Sequence, residues 1–95
     1  MSDWSMLTNH ALVLVCIARE PGCRLREIAQ RVGLTERATY RLVNDLAQAG
    51  YLIRHRLGNR SFYEIRAEQL LRHEVEGQVA LGDLLRPFVR QPADT

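Results

Sequence analysis

Arginine side chains offer the most obvious chemistry in this sequence, because a guanidinium group binds phosphate and the edge of guanine through two parallel hydrogen bonds. All thirteen basic residues of the 95-residue chain are Arg. Nine of them lie between residues 19 and 63, against four acids, which gives this stretch a net charge of +5. The segments on either side are net negative. A genome rich in G and C also favours Arg over Lys, so the position of the charge is more informative than the residue type. It indicates one surface for a polyanion.

No arrangement typical of a catalytic or metal site accompanies this charge. The three histidines, His10, His55 and His73, fall in different predicted elements and have no ligand spacing with Cys16 or Cys23. The sequence also lacks a glycine-rich phosphate loop, and no nucleophile stands with a base at a suggestive spacing. We therefore expect a protein that is not an enzyme and that needs no metal or other cofactor.

The two cysteines bear on compartment and on redox chemistry. The N-terminus has no basic region ahead of an apolar one, and no apolar run is long enough to span a membrane, so a cytoplasmic protein with reduced thiols is expected. Cys16 is predicted to pack as a small apolar side chain. Cys23 stands beside Arg24 after a turn. A partly exposed thiol with a lowered pKa, and with it a redox switch, therefore stays open as an alternative.

The first element that must position the arginines is a helix with Thr8 as its N-cap and Arg19 near its end, where Pro21 and Gly22 stop it. Residues 11–18 are apolar without a break. A helix that is apolar all round must be covered on every side. In so short a chain we expect a second subunit to provide part of that cover. The alternative is a β-strand, because β-branched residues are frequent here.

Two further helices are predicted before the first strand. One covers residues 25–32 and ends at Gly33; the other covers residues 36–49, with Thr35 as its N-cap and Gly50 as its end. On the later helix, apolar residues and Thr39 recur at steps of three and four and should face the core. The opposite face displays polar side chains that can hydrogen-bond a base edge or a phosphate: Glu36, Arg37, Tyr40, Arg41, Asn44 and Gln48.

A β-hairpin follows at once, with strands at residues 51–57 and 60–66 and a tight turn at Gly58-Asn59. Leu52, Tyr63 and Ile65 are expected to face the core. The residues Arg54, His55, Arg56 and Arg60 crowd around the tip. Their mutual repulsion would be relieved by an external anion, although a merely solvated edge protected by charge is the alternative.

The last predicted element is a helix over residues 74–86, bounded by Pro87. Its apolar face has no obvious use in the domain core. We expect it to pair with its symmetry mate and with the first helix in a homodimer, the alternative being that it packs back on its own domain. The expected interface residues are Trp4, Leu14, Val75, Val79, Gly82, Leu85 and Phe88.

A polar helix followed by an Arg-rich hairpin is the layout of a winged helix-turn-helix. The residues that carry a closer resemblance are Leu25-Arg26-Glu27-Ile28-Ala29, Val32-Gly33-Leu34-Thr35, Leu42-Val43-Asn44-Asp45-Leu46, Gly50-Tyr51-Leu52 and Arg60-x-x-Tyr63. In these runs the chain resembles the MarR-type and ArsR-type transcriptional regulators. It is also similar to short relatives that begin with Trp-x-x-Leu-Thr-Asn-His. The Cys-x-Cys pair of ArsR-type metal sensors is absent and the long terminal helices of MarR-type proteins are curtailed, so metal or drug sensing is not implied.

The resemblance implies a mainly α fold with a small β-hairpin (α+β), a winged helix-turn-helix with an added C-terminal dimerisation helix, in one domain over residues 1–95. Its helix-turn-helix would span about 25–49 and its wing about 51–66. It also implies a sequence-specific regulator that binds double-stranded DNA, with the third helix in the major groove and the wing on backbone or minor groove. The implied DNA contacts are Thr35, Glu36, Arg37, Tyr40, Arg41, Asn44, Arg54, Arg56, Asn59 and Arg60. A protein-interaction module and a regulator responsive to a small molecule or to redox state remain the alternatives.

Overall fold

The computed structural model describes residues 5–89. In chain order its elements are α1 (Asn9–Arg19), α2 (Leu25–Val32), α3 (Glu36–Gln48), β1 (Leu52–Leu57), β2 (Arg60–Ile65), a 3₁₀ turn (Glu74–Glu76) and α4 (Leu81–Val89). The two strands form one antiparallel hairpin. The predicted α+β winged-helix fold is therefore confirmed, and α1 is a helix rather than a strand. No helix in the described part of the chain is long and apolar enough to cross a membrane.

The helix starts follow from local side-chain chemistry. The Thr8 hydroxyl accepts a hydrogen bond from the Ala11 N–H at 3.1 Å, and the Thr35 hydroxyl accepts one from the Ala38 N–H at 3.0 Å. Both predicted N-caps are confirmed, since each satisfies a backbone donor that the helix cannot pair internally. At the start of α2, where Arg24 cannot accept such a bond, the Glu27 carboxylate accepts from the Arg24 backbone N–H at 2.7 Å.

Helix α1 is the centre of the core. It contacts α2, α3, α4 and β2. The most deeply buried side chains come from these surrounding elements as well as from α1: Val13, Ile17, Ile28, Thr39, Val43 and Leu81. Thr39 is tolerated there because its hydroxyl donates to the Thr35 carbonyl at 2.9 Å. The single chain buries Val13, Leu14, Cys16 and Ile17 of α1, whereas Leu12, Val15 and Ala18 are only half-buried, so cover by a second subunit stays a prediction.

The hairpin register aligns Leu52 with Ile65 and Leu57 with Arg60 around a two-residue turn. Gly58 has φ +65° and Asn59 has a negative φ, so only the first turn residue needs glycine's access to positive φ. Leu52 and Tyr63 are buried in the core, as predicted. Alternate residues of a β-strand point to the same side, so Arg54 and Arg56 lie on the same side of β1.

The C-terminal region differs from the prediction. Only a 3₁₀ turn occupies 74–76, Gly77 adopts φ +69°, and the helix begins at Leu81. Pro87 lies inside α4 rather than beyond it. Because Pro87 stands in the last turn, its missing N–H leaves only the Asp83 carbonyl without an intrahelical partner, a smaller loss than proline would cause in mid-helix.

Helix α4 packs against α1 of its own chain. Leu81 and Leu85 are almost fully buried, with Leu85 only 4% exposed. The first two helical N–H groups, of Leu81 and Gly82, donate to the carbonyls of Gln69 and Ala67 at 2.8 Å each. The expectation that the domain core has no use for this apolar face is therefore wrong, and the alternative of packing on its own domain is the observed arrangement.

The expected dimer-interface residues consequently separate into groups. Leu14, Gly82 and Leu85 make contacts within the chain, so their positions no longer argue for a subunit contact. Val75 and Val79 are exposed, Val75 to 87%, but lie outside α4. Phe88 is half-buried on α4. Trp4 lies outside the described residues.

Candidate nucleic-acid interface

The exposed face of α3 presents the predicted polar side chains to solvent. Arg37 and Arg41, one turn apart, make no ion pair or hydrogen bond with any residue between 5 and 89. Glu36 lies 3.8 Å from Arg26. The Thr35 hydroxyl oxygen is occupied as the N-cap acceptor, although its proton can still be donated. Two free guanidinium groups therefore dominate the chemistry of this face.

Arg54 connects the hairpin to α3. Its guanidinium donates to the Asn44 side-chain carbonyl and lies 5.1 Å from the centre of the Tyr40 ring. The pKa of the Tyr40 phenol is lowered, first by its hydrogen bond with Asn44 and then by the hydrogen bond and the positive charge of Arg54. The sequence predicts these three side chains as separate contacts, whereas the structure joins them into one cluster.

A cleft of about 370 Å³ lies between the start of α2, the middle of α3 and the hairpin. We call it the basic cleft. Its lining consists of Arg24, Leu25, Tyr40, Arg54, Arg56, Asn59, Arg60, Ser61 and Tyr63. Four of these are arginines and none is an acid. Several like charges around one concave surface, with no carboxylate to neutralise them, attract an anion strongly.

The wing arginines differ in their freedom. Arg56 is exposed and pairs with no residue among those described. Arg60 has a partner that the sequence does not indicate, because its Nη2 donates to the Gly22 carbonyl at 2.8 Å. This bond ties the hairpin to the turn between α1 and α2. Asn59 is exposed at the hairpin turn.

Four residues of the basic cleft are not among the predicted contacts: Arg24, Leu25, Ser61 and Tyr63. The strand register supplies the missing signal for Ser61, because Ser61 pairs with Arg56 as Tyr63 pairs with Arg54. Cross-strand partners share a face, so these four side chains lie on one side of the hairpin. Arg24 directly precedes α2, whose N-terminus borders the cleft.

The cysteines do not form an exposed redox site. Cys23 is buried, and burial raises its pKa to about 12, which contradicts the alternative of a partly exposed thiol with a lowered pKa. Burial also raises the pKa of Cys16, and the neighbouring Cys23 thiol lowers it by a smaller amount. Between residues 5 and 89, no three or more His, Cys, Asp or Glu side chains lie together as a possible metal site.

Three packed helices, a helix-turn-helix whose last helix has a polar exposed face, and an adjoining basic hairpin define a winged helix-turn-helix protein. Residues 7–56, just over half of the chain, match the IclR helix-turn-helix domain. The chain belongs to this family and is a DNA-binding transcription regulator of the winged helix-turn-helix class. The family points to a regulator rather than an enzyme.

The matched region runs from just before α1 to the end of β1. It therefore includes the whole helix-turn-helix and excludes the second strand, the 3₁₀ turn and α4. The closer resemblance to MarR-type and ArsR-type regulators is not confirmed by this match. No curated protein is significantly similar in sequence to the chain.

Proposed function

We propose that the protein is a sequence-specific regulator of transcription that binds double-stranded DNA with α3 in the major groove and the hairpin on the flanking backbone or minor groove. The observation that carries this proposal is the continuity of the basic cleft with the exposed face of α3. Tyr40 belongs to both surfaces, and Arg54 of the cleft contacts both Asn44 and Tyr40 of α3. One duplex lying across them would meet base-reading side chains and phosphate-binding arginines together.

Base reading falls mainly to Arg37 and Arg41 in this proposal. Both are exposed and free of partners among the described residues, and arginine reads guanine through its O6 and N7. Asn44 is less free, because its carbonyl oxygen already accepts from Arg54. A bidentate contact to adenine needs that oxygen as an acceptor, so Asn44 reads adenine only if Arg54 shares or releases it.

Phosphate binding falls to the basic cleft. Arg56 is the freest of its arginines, while Arg54 and Arg60 are held in place by Asn44 and by the Gly22 carbonyl. Held side chains lose less conformational entropy when a ligand arrives, so they position a phosphate that Arg56 then helps to neutralise. Asn59, Thr35 and Glu36 complete the proposed contacts at the hairpin turn and at the start of α3.

We further propose a single folded unit over residues 1–95 and a two-fold homodimer acting in the cytoplasm, where the DNA of a bacterial or archaeal cell lies. The packing of α4 on α1 supports one unit. A dimer would place two α3 helices at a fixed separation, and its operator would be a pseudo-palindrome with half-sites about 10 bp apart or a multiple of that. Val75 and Val79 are the expected interface residues that remain exposed.

The test is selection of a preferred site from a random duplex library, followed by fluorescence anisotropy on that site and on unrelated DNA. Arg56→Ala should weaken binding to the selected site and to unrelated DNA to a similar degree. It should also reduce the slope of log K against log salt by about one for each phosphate that is no longer neutralised. Arg72→Ala is the matched control, because Arg72 is exposed, unpaired among the described residues and outside the basic cleft.

Arg41→Ala should instead lose about 1–3 kcal/mol on the selected site and much less on unrelated DNA. If no sequence is enriched and Arg56→Ala behaves like Arg72→Ala, the proposal is wrong. The same surface would then be assigned to a protein partner.

A further inference from the structure

A second concave surface lies apart from the face proposed for DNA. It has a volume of about 660 Å³ and is bounded by α1, the hairpin and α4. We call it the apolar groove, and its walls are formed chiefly by Ile17, Ala18, Phe62, Ile65, Leu85 and Val89. Sites for small organic ligands have volumes of about 300–1,000 Å³ and mostly apolar walls. The groove has both properties.

The charged groups at the groove are already paired. His55 lies 2.8 Å from Glu64, and Arg86 lies 2.8 Å from Asp83. Among residues 5–89, the groove lining therefore offers no unpaired charged side chain to an ionised ligand, and burying an unpaired ionic group there would be costly. The groove selects an uncharged occupant.

Aromatic surface favours a flat occupant. The His55 and Phe62 rings stack with their centres 5.1 Å apart and their planes 20° from parallel, and Tyr63 also contributes to the lining. An offset aromatic ring gains contact area and quadrupole complementarity against such walls. A second copy of the chain fits less well, because a two-fold contact brings the same concave surface to face itself and leaves the volume unfilled.

Tyr63 connects the apolar groove to the basic cleft. It is only 6% exposed and lines both surfaces. In the hairpin register it stands directly opposite Arg54, which holds Asn44 and lies over Tyr40. A molecule pressing on Tyr63 therefore acts on the strand that carries the DNA-facing cluster.

We propose that the apolar groove binds an uncharged aromatic small molecule and that its occupancy changes DNA affinity through Tyr63 and Arg54. The second half of this proposal rests on the proposed DNA-binding function, and the first half does not. Coupling between two binding sites is reciprocal. DNA would therefore change the affinity of the groove for the small molecule by the same factor as the small molecule changes the affinity for DNA.

The test uses N-phenyl-1-naphthylamine, a neutral aromatic probe whose fluorescence rises in apolar surroundings, with the full-length protein. Saturable binding of one probe per chain is expected. Val89→Glu places a carboxylate at the groove and should weaken the affinity for the probe by about tenfold or more. Met6→Glu also introduces a carboxylate, at an exposed apolar residue outside the groove, and should leave probe affinity unchanged.

Ala18→Phe, which fills the groove, should abolish probe binding. Because Ala18 is half-buried on α1, this variant can fail to fold; Val89 is 51% exposed, so Val89→Glu keeps the test decisive. Circular dichroism and thermal unfolding check both variants. Equal probe binding by wild type, Val89→Glu and Met6→Glu would overturn the site. A wild-type dimer that excludes the probe and that Val89→Glu dissociates would overturn it too, in favour of a second copy.

The coupling is measured by anisotropy on the selected DNA site with and without saturating probe. We expect a change of about threefold or more in wild type and none in Val89→Glu. Probe binding without any change in DNA affinity would overturn the coupling. Probe binding by a protein that binds no DNA would leave the ligand site standing and refute the proposed DNA-binding function instead.

Discussion

Gly82 offers a direct test of whether α4 belongs to the core of its own chain. A Cβ added at this position would lie 2.9 Å from Ala67 Cβ and 3.2 Å from the Ala67 carbonyl oxygen. Neither atom is the end of a flexible side chain, so the backbone of α4 or of the preceding loop would have to move. Overpacking of this kind costs about 1–3 kcal/mol.

The same methyl group also has a stabilising effect, because alanine favours the helical conformation over glycine by about 0.8–1 kcal/mol in a helix interior. The benefit is smaller in the first turn, where Gly82 lies. Since the clash outweighs it, Gly82→Ala should lower the free energy of unfolding by about 1–2 kcal/mol. In a domain of this size each kcal/mol corresponds to about 4–8 °C in melting temperature.

Urea denaturation followed by circular dichroism measures this change. Ala67→Gly removes one of the two clashing atoms, so the double variant should recover part of the stability as a favourable coupling energy. Gly22→Ala is the control, because its nearest neighbour would be the flexible Arg60 Nη2 at 3.9 Å. A stabilising effect of Gly82→Ala would refute the packing of α4 on the 67–69 loop.

Three further predictions concern single side chains. Thr35→Ala removes the N-cap hydroxyl of α3 and should cost about 1 kcal/mol in urea denaturation. Arg54→Ala removes a hydrogen bond and a positive charge beside Tyr40, so the lowered Tyr40 pKa should rise toward its ordinary value of 10.0 in an absorbance titration, with Tyr40→Phe identifying the signal. The Cys23 thiol has a pKa near 9 when unfolded and about 12 when folded. Its contribution to stability is complete below pH 9 and is lost as pH rises toward 12, so Cys23→Ala should flatten the fall in unfolding free energy between these values; parallel curves would contradict the assignment.

The helix-turn-helix and the hairpin can be predicted from the sequence because their signals are local. Threonine N-caps, glycines at φ +84° and +89° after α2 and α3, and a Gly-Asn turn each constrain their own few residues. The buried face of α3 follows from helical spacing alone. The predicted bounds of these elements accordingly agree closely with the observed ones.

The segment after the hairpin cannot be predicted in the same way, because its structure depends on distant contacts. The start of α4 is fixed by carbonyls of Gln69 and Ala67, and the Leu71 N–H bonds the Val79 carbonyl. Neither pairing leaves a periodic pattern. Likewise, the links of Arg54 to Asn44 and of Arg60 to Gly22 span 10 and 38 residues, so sequence spacing identifies the arginines but not their partners.

The intrachain packing of α4 changes the argument for the proposed dimer, which then rests on how much DNA one subunit can contact. A single α3 with its hairpin is a small module, and such modules bury only about 600–1,000 Å² on DNA, which limits both affinity and the number of bases read. A two-fold pair would double the buried area and the number of bases that can be read. The surface left for pairing must then lie outside the α1–α4 contact, where Val75 and Val79 are exposed. Val79→Glu should therefore yield monomers by sedimentation at unchanged thermal stability, and it should bind a full operator little better than a half-site. A wild-type protein that is already monomeric at micromolar concentration would refute this assembly.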